Sequence, residues 1–158
     1  MYEYRAKINR VVDGDTVDVD IDLGFGIVLT DERVRIMGID TPESRTSDKV
    51  EKLFGLASKY RLQELLGEYA ILKTQVSKNG EDMKGKFGRI LGDFIVEEFE
   101  GDERMVTDVL IEEGHAVAYF GGSKEEIQMK HMANREKLLR EEIVSREDYD
   151  KEVAKAKE

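Results

Sequence analysis

Cysteine is absent from this chain of 158 residues. That excludes disulfides, thiolate metal sites and cysteine nucleophiles, and it leaves the compartment unconstrained by redox chemistry. Proline occurs once, so Thr41-Pro42 is the one bond at which a cis peptide would be cheap. Histidine occurs twice, and His115 and His131 are too isolated to argue a zinc site or a triad. Structural or surface roles are expected for both. No apolar run approaches the ~18 residues of a membrane span, so no membrane partner is expected. The start, Met1-Tyr2-Glu3-Tyr4-Arg5, lacks the apolar core of a secretory signal, and the cytoplasm is the expected location. Basic charge is also scarce: 25 Lys and Arg stand against 35 Asp and Glu, a net charge of −10. A non-specific nucleic-acid clamp would need a basic surface to displace counterions. A small, locally positive site on an acidic body remains open, and acidic clusters also await a cation.

What is present reads first as strands. Val17, Val19, Ile21 and Leu23 alternate with Asp18, Asp20 and Asp22, the period of a half-buried strand. Gly14 lies in a turn signal before it, and Gly24-Phe25-Gly26 breaks the pattern. A strand over residues 27–39 would turn Val34 and Ile36 inward and Arg35 outward. From Asp48 the period changes. Val50, Leu53, Ala57 and Tyr60 mark an amphipathic helix that should stop at Gly67. Strand character returns over residues 69–77 and again over 89–96, with a turn signal at Asn79-Gly80 between them. A short helix carries Val106, Val109 and Leu110 and ends at Gly114. Ser123 with Glu126 is a capping-box start for a further helix, along which Ile127, His131, Asn134 and Leu138 form a weak stripe. Several short strands followed by helices mixed with two more strands fit α+β: a five-stranded OB barrel with about three packed helices. Residues 1–140 form the expected domain. Residues 141–158 read as a charged helical or disordered tail that should bury little surface.

Four segments carry chemistry. They are Asp13-Gly14-Asp15-Thr16-Val17, Arg35, Asp40-Thr41-Pro42-Glu43 and Lys86-Phe87-Gly88-Arg89. They supply two metal-seeking carboxylates, a third carboxylate able to act as a base, and two guanidinium groups. This is a minimal kit for breaking a phosphodiester with a hard cation. Ca²⁺ takes oxygen ligands, mostly carboxylate and carbonyl. A nearby carboxylate can remove a proton from water. Arginine donates two parallel charge-assisted bonds to phosphate. Asp18, Asp20 and Asp22 imitate the start of an EF-hand loop, but Leu23 and Leu29 fill the positions that need glycine and an acid. They read as the solvent face of a strand.

In order and spacing, these motifs resemble the staphylococcal nuclease (thermonuclease) family across roughly residues 5–140. The resemblance implies an OB-type barrel with three helices and Ca²⁺-dependent cleavage of DNA and RNA to 3′-phosphate products. It implies metal ligation by Asp15, Asp40 and the backbone carbonyl of Thr41. It gives Glu43 as the general base, Arg35 and Arg89 as phosphate-binding catalytic residues, and Lys86 and Tyr119 as nucleotide contacts. Phe87 stands where a tyrosine is usual, and Phe120-Gly121-Gly122 follows Tyr119 where a second tyrosine and a proline turn are common. Nucleotide stacking is therefore expected to be weaker or differently arranged. The expected partner is single-stranded DNA or RNA, and the expected state is a monomer. The rival from another class is a catalytically silent OB-fold module that binds nucleic acid or protein. Such a module has no need to keep Asp15, Arg35, Asp40, Glu43 and Arg89 together. A purely structural Ca²⁺-binding domain would not need the two arginines.

Overall fold

The computed structural model describes residues 2–75, 84, 88–98 and 100–158. Strands β1 (Glu3–Asp13), β2 (Thr16–Gly24) and β3 (Ile27–Ile36) form an antiparallel meander. After β4 (Ile39–Asp40) and helix α1 (Lys49–Leu66), strand β5 (Tyr69–Thr74) pairs with β1. Strand β6 (Ile90–Glu97) then pairs antiparallel with β5 and parallel with β3, Val34 opposite Ile90. That last pairing closes a barrel of five strands, β1, β2, β3, β5 and β6. Short β7 (Glu103–Met105) extends β6. Helices α2 (Val106–Glu113), α3 (Lys124–Arg140) and α4 (Arg146–Ala156) follow, with β8 (Val117–Ala118) between the first two. The five-stranded barrel with packed helices is the expected architecture, and among the described residues the helices number four. No described helix is long and apolar enough to cross a membrane.

Alternation explains most of the barrel. Val17, Val19 and Ile21 of β2 and Val34 and Ile36 of β3 point into one core with Ala6, Leu72 and Phe94. Leu23 departs from its expected inward place and is exposed. There β2 has run past the barrel, and its hairpin with β3 stands out in solvent, Phe25 at its tip. The acidic row is answered by partners on its own sheet. Asp18 receives Arg33 Nε at 2.8 Å and Nη2 at 3.1 Å. Asp20 accepts from the Asp31 amide and the Asn9 side chain, each at 2.8 Å, which holds its carboxyl below the usual range.

Helix α1 starts where Asp48 accepts from the amides of Val50 and Glu51, and it stops at Gly67. Its innermost face is Phe54, Ser58, Leu62 and Leu66, at four-residue spacing. The expected stripe is only a flank: Val50, Leu53 and Ala57 are half-buried and Tyr60 is exposed. A serine and a glycine on the true inner face hid it. Ser58 is buried and satisfied, its hydroxyl donating to the carbonyls of His115 at 2.7 Å and Phe54 at 3.1 Å.

The flank of α1 belongs to a second, smaller core. Phe54, Leu138, Leu139 and Val144 are its buried members, and Tyr149 packs against it. The Tyr149 ring meets Phe54 edge-on, with centroids 6.1 Å apart. Within α4 no residue is buried. Yet Val144, just before it, is 5 % exposed. The charged composition after Arg140 conceals these two anchors. Removing residues 144–158 is therefore expected to cost about 2–4 kcal/mol, through loss of cover over Phe54 and the α3 leucines. Thermal melting of the shortened chain should fall by roughly 5–15 °C. An unchanged Tm would show that Val144 and Tyr149 contribute nothing.

Candidate active site

The strand ends and one two-residue ladder assemble the site. Register shifts after Ile8 and Val11 in β1 re-aim the end of that strand, so that Val11 and Val12 are both buried and the turn to β2 follows. That turn presents Asp15. Gly14 within it has no room for a side chain: a Cβ there would stand 2.8 Å from Ser58 Cβ and 3.2 Å from Thr41 Cγ2. The backbone amide of Ile36 donates to the Asp15 carbonyl at 2.8 Å, fastening the turn to the end of β3. One residue earlier Arg35 points to the opposite face. Its Nη2 lies 3.5 Å from Asp15 Oδ2 and donates to the Ile39 carbonyl at 3.1 Å, while Nη1 donates to the Ile36 carbonyl. A single guanidinium thus links the Asp15 turn to the backbone just before Asp40.

Asp40 is held by β4 pairing with β8, Asp40 opposite Val117. Its Oδ2 lies 2.7 Å from His131 Nε2 on α3. Thr41 follows, 7 % exposed. Glu43 is exposed, and its amide donates to Glu51 Oε2 at 3.0 Å. Ser44 is buried beneath it, and its hydroxyl donates to Asp13 Oδ1. Helix α1 passes directly under this segment at Gly55. The loop carrying Glu43 is therefore tied at both sides, to the β1–β2 turn and to α1.

Two clefts meet along β4. One, of 850 Å³, is lined by Arg35, Ile39, Arg89, Asp93, Tyr119 and Phe120. The other, of 140 Å³, is lined by Asp40, Thr41, Glu43, Glu51, His131 and Arg135. The expected residues are therefore brought together in two groups that adjoin: Arg35, Arg89 and Tyr119 in the larger cleft, Asp40, Thr41 and Glu43 in the smaller. Asp15 lines neither cleft; it meets the larger one through its ion pair with Arg35. Lys86 lies outside the described residues. Asp93 adds an acid to the arginine cleft. Burial pushes its carboxyl up, against bonds from the Thr107 hydroxyl at 2.6 Å and the Phe94 amide at 2.8 Å.

The donor set near β4 fits a hard cation. Asp15 and Asp40 offer carboxylate oxygens and Thr41 a backbone carbonyl. The one nearby imidazole nitrogen is already turned to Asp40 Oδ2. Oxygen-only donors suit Ca²⁺ or Mg²⁺ rather than zinc. Asp15 Oδ1 takes the Thr16 hydroxyl at 2.9 Å. A carboxylate oxygen can still accept a second partner. Among the described residues no group of three or more His, Cys, Asp or Glu side chains gathers around one point. Two carboxylates and a carbonyl would leave the remaining positions to water and a phosphate oxygen.

Sequence reasoning missed the contribution of α3. Gln128, His131 and Arg135 all line the smaller cleft. Their spacing of three and four residues puts them on one helical face, which was a visible signal. What it faces was not visible, because His131 and Asp40 are 91 residues apart in sequence.

The sequence has relatives among known proteins. The family model described as staphylococcal nuclease homologue matches residues 33–148. The chain is 33 % identical to the thermonuclease of Staphylococcus intermedius over 114 residues, 72 % of this chain and 58 % of that protein. It is 29 % identical to the micrococcal nuclease of Shigella flexneri over 132 residues, 80 % of this chain and 66 % of that one. It is 28 % identical to endonuclease YhcR of Bacillus subtilis over 123 residues, 75 % of this chain but 9 % of that protein. The chain thus spans less than two thirds of the length of each of these relatives. With a matched region that contains Arg35, Asp40, Glu43 and Arg89 and runs on through the helical layer, the chain belongs to the staphylococcal nuclease homologue family.

Proposed function

We propose that this protein is a nuclease that hydrolyses phosphodiester bonds of DNA or RNA in a Ca²⁺-dependent reaction, leaving 3′-phosphates. One observation carries the proposal. The Arg35 guanidinium touches the Asp15 carboxylate and the carbonyl preceding Asp40, and it lines the same cleft as Arg89. Phosphate-seeking cations and cation-seeking carboxylates thus meet along one two-residue strand. Three of the relatives' names, thermonuclease, micrococcal nuclease and endonuclease, point the same way.

The roles follow from the chemistry of the groups. Asp15, Asp40 and the Thr41 carbonyl would hold Ca²⁺, which when bound supplies Lewis acidity and positive charge at the phosphate. Glu43 is exposed beside Asp40 and takes a proton from the attacking water. Arg35 and Arg89 bind the phosphate and stabilise the charge that builds on its oxygens. Arg35 has five N–H donors, and two of its nitrogens already point at protein acceptors. Those bonds orient the fork before substrate arrives, while further donors remain for phosphate. Tyr119 and the neighbouring Phe120, which is 89 % exposed, offer ring faces at the rim of the same cleft. Stacking on such rings is worth about 1–3 kcal/mol per base, and it needs bases free of a double helix. Single strands are therefore the favoured substrate.

Incubating the protein with single-stranded DNA, in millimolar Ca²⁺ or in chelator, tests this reading. Cleavage is expected with Ca²⁺ only. Mg²⁺ should serve poorly, because it demands a tight octahedron and sheds water reluctantly. Equal turnover in chelator would remove the metal from the reaction. Binding without any cleavage would leave a silent nucleic-acid module instead.

A further inference from the structure

Arg135 is a cation in the Asp40–Glu43 cleft that no carboxylate of the described residues holds. It lies on α3 one turn beyond His131, and its guanidinium carbon sits 5.1 Å from the centroid of the Phe54 ring. Its Nε is buried with no hydrogen-bond partner, and it forms no ion pair among the described residues. Glu43 and Glu51 line the same cleft, but Glu51 accepts from the Glu43 amide rather than from Arg135. A buried donor left without an acceptor is unfavourable. The ring of Phe54 attracts the cation and covers one side of it. Arg135 is thus oriented and partly shielded; its buried Nε is closed to a ligand, and its terminal N–H groups, which bond to no described residue, are the ones left for an acceptor.

The acceptor that suits a planar guanidinium in such a place is a phosphate or a carboxylate. The carboxylates of the described residues do not take the position. The geometry of the clefts supplies the alternative. Ile39 lines the arginine cleft of Arg35 and Arg89, and the next residue, Asp40, lines the cleft of Arg135. A nucleic-acid strand whose scissile phosphate sits where these clefts meet carries its neighbouring phosphates away along them. We propose that Arg135 binds a phosphate of the substrate backbone adjacent to the scissile one, on the α3 side of β4. This rests on the nuclease reading above. Asp40, Glu43 and Glu51 oppose an anion in that cleft, so a strand passing there needs a cation aimed into it.

Fluorescence anisotropy of a short labelled single-stranded DNA, over a range of salt concentrations, tests the assignment. Wild-type protein is compared with Arg135→Met, whose stem still covers Phe54, and thermal melting checks the fold. If melting falls, Arg135→Gln is measured as the second variant. Loss of a charge-assisted bond should raise Kd about tenfold or more. The slope of log K against log salt should shrink by about 0.7, the mark of one lost phosphate contact on a single strand. Arg135→Lys should restore the slope but only part of the affinity. An unchanged Kd and slope in a folded variant overturn the proposal. So does a loss confined to kcat, which would make Arg135 a positioning residue for Glu43. If the wild type binds DNA but does not cleave it, the nuclease reading fails while the binding comparison still decides the role of Arg135. Absence of wild-type binding overturns both.

Discussion

Replacing Glu43 with glutamine is expected to lower kcat by ~10²-fold or more, with a smaller change in KM. The substitution keeps the shape of the side chain and removes its ability to take a proton. General-base assistance is typically worth about 10²–10⁴-fold. Three observations support the proposed role of Glu43 as the base. It is exposed in the cleft that Asp40 and Thr41 line. Its backbone is tied by the Glu51 side chain at one atom and, through Ser44, by Asp13. Its carboxylate makes no hydrogen bond or ion pair among the described residues. The last point separates it from Asp15 and Asp40, whose carboxylates are engaged by Arg35 and Thr16 and by His131. Steady-state kinetics on single-stranded DNA, with melting as a control for folding, measure the effect. A kcat within a fewfold of wild type would remove Glu43 from the proton transfer.

Much of this site is legible in the sequence because local chemistry fixes it. Gly14-Asp15 forms a turn because the alternating strand begins right after it, and the glycine is demanded by the approach of Ser58 and Thr41. Arg35 faces away from Val34 and Ile36 because strands alternate. Ser123 caps α3 by accepting from the Glu126 amide at 3.1 Å. What sequence does not disclose is contact at a distance. The β4–β8 ladder is two residues long, too short for any periodic signal, yet it places Asp40. The inner face of α1 is disguised by Ser58, whose hydroxyl finds its acceptor 57 residues away. The anchoring of the charged C-terminal segment depends on two residues, Val144 and Tyr149, that composition averages away. The α3 contribution to the cleft is hidden for the same reason. His131 and Arg135 look like ordinary helix residues until the fold turns that face toward Asp40.

Gly55 is the clearest case of a residue whose importance only the packed structure discloses, and Gly55→Ala is expected to be severe. In an exposed helix interior this exchange would stabilise, by roughly 1 kcal/mol, because alanine is the better helix former. Here the new Cβ would stand 2.2 Å from the Glu43 carbonyl oxygen, 2.4 Å from its carbon and 2.6 Å from the Ser44 nitrogen. All three are backbone atoms, so no side chain can swing aside. Either α1 moves outward or the Glu43 loop moves, by on the order of 1 Å. Helix α1 is pinned by Phe54, Leu62 and Leu66 in two cores. The loop is held by the Ser44–Asp13 bond and the Glu51 side chain, so it is the weaker partner and should yield. A displacement of about 1 Å in a positioned catalytic group can cost on the order of 10²-fold in rate. Overpacking itself typically costs about 1–3 kcal/mol. The expected result is therefore a kcat lowered by ~10²-fold together with a lower Tm, while Asp15 and Arg35, on the barrel side, are little disturbed. Measuring both quantities separates the causes. A lower Tm with normal kcat would mean that the helix yields and Glu43 stays in place. A chain as stable and active as wild type would show that α1 and the Glu43 loop are not in contact at all.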